Sequence, residues 1–201
     1  MSVNALLWSL IGFLSGAIPF SVLIGKAVLH VDIRRFGDGN PGGTNVIRAG
    51  GRWWGALAIV LDYFKGAAPV GLAHLMGGVE GWPMAVVGVA PVLGHAYSPF
   101  LSFRGGKAVA VTFGVWTGLT LWVGPTLLGL SLGLWVALLA SDAWAVMFSM
   151  AGLLAYLIST HTDMPIMGAW MANTVVLFWK HRTDLAHRPK FRQWLRRLVR
   201  Q

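Results

Sequence analysis

Residues 5–29 of the chain read ALLWSLIGFLSGAIPFSVLIGKAVL, a run in which Lys26 is the only charged residue. A helix needs roughly 20 apolar residues to cross the hydrocarbon core of a bilayer, so this run is long enough to span one. No basic region precedes it, and it continues past the small residues 15–17 instead of ending there in a cleavage site. We therefore expect a retained transmembrane helix.

The whole chain has a membrane-protein composition. Of its 201 residues, 56% are hydrophobic and 11% are charged, and the mean hydropathy is +0.64. This leaves too little polar surface for a soluble globule. We predict one domain, residues 1–201, folded as an all-α polytopic membrane bundle of about seven transmembrane helices. The predicted spans are Ala5–Leu29, Trp53–Met76, Trp82–Leu101, Ala108–Trp122, Val123–Ala140, Trp144–Ser159 and Pro165–Trp179. One long bent helix is an alternative to the fourth and fifth spans.

The basic residues predict the orientation of the bundle. Lys and Arg concentrate on the cytoplasmic side of membrane proteins. The first and third connections and the C-terminal tail contain Lys and Arg, whereas the connections 77–81, 122–124 and 159–164 contain neither. This pattern predicts an outside N-terminus and an inside C-terminus.

The C-terminal tail, residues 181–201, carries much of the net charge of +9. Phe191, Trp194, Leu195 and Leu198 recur at helical spacing, and basic residues up to Arg200 occupy the other directions. The pattern is typical of a basic amphipathic helix on an anionic membrane surface. A solvated basic tail that fixes topology is the alternative. Either interpretation favours membrane lipids, and not nucleic acid, as the partner.

Metal and thiol chemistry find little support in the sequence. The chain has no cysteine, and its six histidines are scattered without the spacing of paired ligands. We therefore expect no metal and no cofactor.

A glycine-rich segment, GDGNPGGTN at residues 37–45, interrupts the apolar sequence. Glycines allow positive φ and close approach, so successive backbone N–H groups can surround an anion. Arg48 adds a charge that can bind phosphate through two hydrogen bonds. An ordinary Gly/Pro/Asn turn is the alternative. The predicted phosphate-binding residues here are Gly39, Asn40, Gly42, Gly43, Thr44 and Asn45.

Two further polar clusters fall on the same predicted face. FRGGK at residues 103–107 places Arg104, Gly105, Gly106 and Lys107 before a helix, where free amides favour anions; the alternative is that its cations only fix topology. KHRTD at residues 180–184 closes the last span. Its histidine, His181, lies among cations and can donate or accept a proton near neutrality. The alternative is an interfacial histidine without a chemical role.

Inside the second span, Asp62 and Lys65 share one helical face. Ionisable groups at membrane depth pair or line a polar cavity, so we favour a structural pair over direct catalysis. His95 and Ser98 lie just before the FRGGK segment, residues 103–107, which we call the second loop. They are also assigned a supporting role.

Several motifs in register resemble the acyl-phosphate-dependent glycerol-3-phosphate acyltransferases of bacteria, the PlsY type. They include Ser15–Phe20, Ile24–Lys26, Asp32–Arg34, Gly39–Gly42, Thr44–Val46, Leu61–Asp62, Lys65–Gly66, the second loop and Lys180–Arg182. The resemblance implies transfer of a fatty acyl group from acyl phosphate to the sn-1 hydroxyl of glycerol 3-phosphate. It also implies a bacterial cytoplasmic membrane and a site facing the cytoplasm; we expect a monomer.

The resemblance maps the family's glycerol-phosphate contacts onto Arg48 and Lys107 and its motif-three histidine onto His181. Together with Asp38, these residues are our predicted catalytic set. Thr44, Asn45 and nearby amides would hold the acyl phosphate, while Arg48 and Lys107 orient the acceptor. Because the donor is already activated, neither a covalent intermediate nor a metal is required. The proton of the attacking hydroxyl passes either to the imidazole of His181 or to the donor's own phosphate.

Two acids depart from the family pattern. Asp38 stands where the family usually has Ser, and Asp184 stands where it usually has Asn; both lie near the predicted phosphate site. Asp38 is expected to weaken phosphate binding unless Arg34, Arg35 or another cation neutralises it. Asp184, which we group with the phosphate-binding residues, places a second acid near the same pocket. The smaller changes to Arg104 and Ala108 are predicted to be mild.

These departures keep an alternative function open: a divergent non-catalytic paralogue that binds or transports a lipid phosphate or another anion. A transporter is expected to use broken helices near the bilayer midplane. The polar clusters here instead fall at one predicted face, which favours the enzyme.

Overall fold

A computed structural model of the protein describes residues 2–198, and these form an all-helical bundle. Its helices are α1 (Val3–Ala17), α2 (Phe20–Val28), α3 (Gly43–Arg48), α4 (Arg52–Leu75), α5 (Gly81–Ala96), α6 (Val109–Thr120), α7 (Val123–Leu138), α8 (Asp142–Ser159), α9 (Met164–Leu185) and α10 (Gln193–Leu198). Two short 3₁₀ turns, Ile33–Arg35 and Pro99–Leu101, lie in the connections. No β-strand occurs in this part of the chain, which confirms the predicted all-α class.

Between residues 2 and 198, four segments are long and apolar enough to cross a membrane: Val3–Val28, Arg52–Leu75, Gly81–Leu101 and Asp142–Ser159. Helices α6 and α7 are apolar but shorter. The further spans needed to reach the predicted count of about seven therefore stay predictions, and so does the orientation of the bundle.

The first predicted span consists of two helices. Helix α1 ends at Ala17 and α2 begins at Phe20, because Pro19 lacks an N–H and restricts the residue before it. A second break separates α6 from α7, where Leu121 has a φ of +55° and the Thr120 hydroxyl accepts a hydrogen bond from the Gly124 N–H. The alternative of one long bent helix over this region is wrong.

Close helix pairs depend on glycines at the contacts. Gly16 of α1 lies against the backbone of Pro91 in α5, and Gly114 of α6 lies against the carbonyl of Tyr63 in α4. A larger residue at either position would collide with backbone atoms. These contacts hold α1 against α5 and α4 against α6, around a core that includes the fully buried Trp116.

The C-terminal segment packs against the end of α7. The Ala140 N–H donates to the Lys190 carbonyl at 2.8 Å, and Arg192 Nε donates to the carbonyls of Val136 and Leu139 at 2.6 and 3.0 Å. Arg192 thus satisfies carbonyls that the end of α7 leaves free. Within the predicted tail, residues 181–185 belong to α9 and residues 193–198 form α10; Arg200 lies outside the described residues. Binding of this tail to a membrane surface stays a prediction.

Candidate active site

The three polar clusters of the sequence meet at one end of the bundle. Lys107 Nζ donates to Asp38 Oδ2 at 2.8 Å and to Asp184 Oδ2 at 2.7 Å. One ammonium group therefore joins the connection before α3, the loop before α6 and the last turn of α9. The expected convergence of segments almost 150 residues apart, 38 to 184, is a feature of the structure.

The glycine-rich segment at residues 37–45, the first loop, is organised around Asp38. Asp38 Oδ1 accepts hydrogen bonds from the Asn40 N–H at 3.2 Å and from Asn45 Nδ2 at 3.0 Å. Arg48 Nη1 donates to Asn45 Oδ1 at 3.0 Å and lies 3.8 Å from Asp38 Oδ1. The buried Asn45 amide thus connects the carboxylate to the guanidinium, and Asp38, Asn40, Asn45 and Arg48 all line one cavity.

The charges in this cluster stabilise one another. Burial opposes ionisation of Asp38, but the hydrogen bond from Lys107, with those from Asn40 and Asn45, lowers its pKa to about 2. Burial also opposes the charge on Lys107, yet hydrogen bonds to Asp184 and Asp38 raise its pKa. The Asp38 carboxylate and the Lys107 ammonium are therefore expected to carry full charge at neutral pH.

The structure identifies which of the possible cations lie beside Asp38. The cations that neutralise it are Lys107 and Arg48. Arg34 instead pairs with Asp32 at 2.7 Å, and the side chain of Arg35 is exposed.

The second loop packs tightly against the end of α5. The Gly106 N–H donates to the His95 carbonyl at 3.0 Å, and any side chain on Gly105 or Gly106 would collide with His95 or Ala96. Lys180 Nζ donates to the carbonyls of Ala96 and Gly105 at 2.9 Å each. The two glycines thus have a packing role, whereas their binding of phosphate stays a prediction.

A cavity of about 570 Å³ opens beside these loops. All four residues of the predicted catalytic set line it, namely Asp38, Arg48, Lys107 and His181, and so do Asn40, Gly42, Gly43, Thr44 and Asn45. Gly39, Arg104, Gly105, Gly106 and Asp184 lie outside its lining, and Arg104 is exposed. Apolar side chains also line it, among them Phe113 of α6, Leu132 and Val136 of α7 and Val146 of α8.

Buried His181 is oriented by its own helix. Its Nδ1 lies 2.8 Å from the Leu177 carbonyl, which can only accept a hydrogen bond. Nδ1 therefore carries the proton of the neutral ring, and Nε2 keeps a lone pair. Since His181 lines the cavity, this tautomer suits an acceptor of a proton from a bound hydroxyl.

Beneath the cavity lies a buried polar cluster. Lys65 Nζ lies 2.7 Å from Asp62 Oδ1 and donates to the Ile18 carbonyl at 2.8 Å, so the paired side chains also hold the break between α1 and α2. Ser98 Oγ donates to the Ala17 carbonyl at 2.6 Å. His95 Nδ1 lies 3.9 Å from Asp62 Oδ1. The supporting role of these four residues stays a prediction, and Asp62 and His95 also line the cavity.

Sequence reasoning missed two polar residues in the cavity wall. Tyr63 follows Asp62 and hydrogen-bonds Thr117 at 2.7 Å, and Asp142 begins α8. The connection before α8 falls on the same predicted face as the three clusters, so a rare acid there was an available signal. Tyr63 lies in a predicted span and gives no comparable signal.

The residues between 2 and 198 contain no group of three or more His, Asp or Glu side chains placed to hold a metal ion. The expectations that the protein needs no metal and no cofactor stay predictions.

Comparison with known proteins agrees with this geometry. The family model described as glycerol-3-phosphate acyltransferase matches residues 6–188. The chain is 39% identical over 189 residues to glycerol-3-phosphate acyltransferase 1 of Thermotoga maritima, covering 87% of this chain and 93% of that protein. It is 38% identical over 195 residues to the glycerol-3-phosphate acyltransferase of Thermus thermophilus, covering 91% of each.

Solved structures show the same fold. Crystal structures of PlsY, an integral membrane glycerol 3-phosphate acyltransferase, superpose on this chain with TM-scores of 0.83 for the glycerol 3-phosphate form and 0.81 for the lysophosphatidic acid form. The sequence identities are 29% and 28%, and each match covers 90% of both chains. The fold and the polar cavity at its end thus define an integral membrane acyltransferase. The chain belongs to the glycerol-3-phosphate acyltransferase family.

Proposed function

We propose that the protein transfers a fatty acyl group from an acyl phosphate to the sn-1 hydroxyl of glycerol 3-phosphate, releasing lysophosphatidic acid and inorganic phosphate. The observation that carries the proposal is one cavity with two kinds of wall. The ion-paired side chains of Asp38, Arg48 and Lys107 form its polar end, and apolar side chains of α6, α7 and α8 also line it. A substrate with a phosphate and a fatty chain combines the same two chemistries.

The polar end positions the two phosphoryl groups. Thr44 and Asn45 line the cavity beside the backbone of the first loop and are assigned to the acyl phosphate. Arg48 and Lys107 are assigned to the phosphate of the acceptor and to the charge that develops on the reacting oxygens. Since the donor is already activated, placing the hydroxyl against its carbonyl carbon supplies most of the rate enhancement.

The reaction forms a carboxylic ester and breaks the bond between the acyl carbon and the phosphate oxygen. The attacking hydroxyl loses its proton, and the phosphate departs with the electron pair of the broken bond. We assign the proton to His181 Nε2, because Nδ1 already donates to the Leu177 carbonyl.

The same proposal includes the membrane setting. We place the protein in the cytoplasmic membrane of a bacterium as a monomer with about seven spans. Its N-terminus lies outside, its C-terminus lies inside, and its active site faces the cytoplasm. The support is the positive-inside pattern, together with the grouping of the basic loops at one end of the bundle.

Release of phosphate from an acyl phosphate by the purified protein, with and without glycerol 3-phosphate, tests the activity. We expect release that depends on the acceptor, together with lysophosphatidic acid in equimolar amount. Phosphate binding without acceptor-dependent release would refute acyl transfer and indicate the non-catalytic anion-binding paralogue.

A substitution at His181 tests the route of the proton. His181→Ala is expected to lower kcat by at least about 100-fold, the usual contribution of a general base. His187→Ala, which removes an exposed imidazole from the segment after α9, is the matched control and should retain activity. Near-normal turnover of His181→Ala would exclude the imidazole as the base and assign the proton to the donor's phosphate.

A further inference from the structure

We infer that Asp38 and Asp184 are specificity-determining residues that act as internal competitors of substrate phosphate for Lys107. This inference rests on the proposed function for its biological meaning, but its test measures binding alone. Both carboxylates lie within 2.8 Å of the Lys107 ammonium. These hydrogen bonds occupy two of the three ammonium protons, so a phosphoryl group is left with the third unless it displaces a carboxylate.

The balance of charge around the polar end gives this competition its strength. Arg48 and Lys107 bring two positive charges to the cluster, and Asp38 and Asp184 bring two negative charges. The four groups therefore cancel before any ligand binds. A dianionic phosphate gains from the two cations but is repelled by both carboxylates, and the repulsion grows in proportion to the charge of the ligand.

The two acids differ in what else they hold. The hydrogen bond to Lys107 is the only one that the Asp184 side chain makes within the described residues, and that side chain is 46% exposed. Asp38 also accepts hydrogen bonds from Asn40 and Asn45, so its replacement disturbs the first loop as well. Asp184→Asn is therefore the cleaner variant, because it removes the charge and preserves the shape.

Equilibrium titration of the purified full chain provides the test. Two probes are compared at pH 8: inorganic phosphate, mostly a dianion, and dimethyl phosphate, a monoanion. We expect Asp184→Asn to bind inorganic phosphate about fivefold more tightly than the unchanged protein, the scale of one partly exposed ion pair. The gain in affinity for dimethyl phosphate should be about twofold. This monoanion has half the charge of the phosphate dianion, so the Asp184 carboxylate repels it half as strongly.

Asp32→Asn is the matched control. It also removes a carboxylate that lies 2.7 Å from a basic side chain, but that pair, Asp32 with Arg34, lies outside the cavity. Its affinity for both probes should equal that of the unchanged protein. Asp38→Asn, which keeps an oxygen for the Asn40 N–H, is the second variant and should also tighten phosphate binding.

Unchanged or weaker phosphate binding by Asp184→Asn and Asp38→Asn would overturn the inference. An equal gain for both probes would also overturn it, because that result indicates altered shape and not altered charge. Neither outcome depends on turnover. A protein without acyltransferase activity would refute the proposed function and leave this test intact.

Discussion

The buried pair of Asp62 and Lys65 is expected to respond very differently to loss of one partner and to loss of both. The side chains are only 5% and 2% exposed, and Lys65 Nζ lies 2.7 Å from Asp62 Oδ1. In Asp62→Ala the ammonium keeps the Ile18 carbonyl as its partner but loses its counter-charge. Removing one member of a buried ion pair costs about 3–5 kcal/mol, which corresponds to a fall in Tm of about 6–20 °C for a protein of this size.

Removing both charges should restore most of this loss. In the double variant Asp62→Leu with Lys65→Met no uncompensated charge is left in the interior. Apolar replacement of a buried pair is often close to neutral, so we expect stability within about 2 kcal/mol of the unchanged protein. Some loss is expected because the Ser21 hydroxyl, 3.5 Å from Asp62 Oδ2, also loses its acceptor.

Thermal unfolding of the purified protein in one detergent measures both variants. The exposed pair of Asp32 and Arg34 is the control, because its oxygen and nitrogen also lie 2.7 Å apart while its side chains are 26% and 42% exposed. Asp32→Ala should cost at most about 1 kcal/mol. Equal losses for Asp62→Ala and Asp32→Ala, or equal losses for the single and double variants, would refute the reasoning that burial decides the cost.

Three further predictions concern the loops and the tail. Ala108 has a left-handed φ of +63°, so Ala108→Gly should raise the free energy of unfolding by about 1 kcal/mol. Ala110→Gly, within α6, should lower it by about the same amount. Thermal unfolding of the two variants measures both effects. The pKa of Asp38 is depressed to about 2, so its stabilising contribution should be complete above about pH 4 and lost as the pH falls through 2. Because Asp38 is 42% exposed, that contribution is at most about 1 kcal/mol, and Asp38→Asn should remove this pH dependence of Tm. Arg192→Ala should cost about 1 kcal/mol and speed limited proteolysis after α9, whereas Arg196→Ala, at an exposed side chain, should do neither.

Each of these predictions has a result that contradicts it. Equal effects of Ala108→Gly and Ala110→Gly would show that the left-handed conformation carries no penalty. A pH dependence below 4 that persists in Asp38→Asn would assign the acid loss to other carboxylates. Proteolysis that Arg192→Ala leaves unchanged would show that the tail is held by its other contacts.

The sequence was sufficient to predict that the polar clusters converge. Basic residues occur on every second connection, which places the three polar clusters at one end of a bundle. The structure joins Asp38, Lys107 and Asp184 at that end. This worked because topology in a bilayer depends on hydrophobic length and positive charge, which are both read directly from residue order.

The role of individual glycines was not predictable in the same way. The sequence pattern predicts Gly106 as an anion-binding residue, yet its N–H donates to the His95 carbonyl and a side chain there would collide with the imidazole. The sequence alone does not distinguish a glycine that exposes its amide to a ligand from a glycine that allows close packing. The cation that meets Asp38 was equally hidden, because Lys107 lies 69 residues away and only tertiary packing selects it over Arg34.

The return of the C-terminal segment onto α7 has a consequence for cooperativity. The Ala140 N–H donates to the Lys190 carbonyl, and the Arg192 N–H donates to the Leu138 carbonyl. These contacts tie together the segments that flank α8 and α9 in the chain. The two helices are therefore expected to detach from the bundle, and to rejoin it, as one unit.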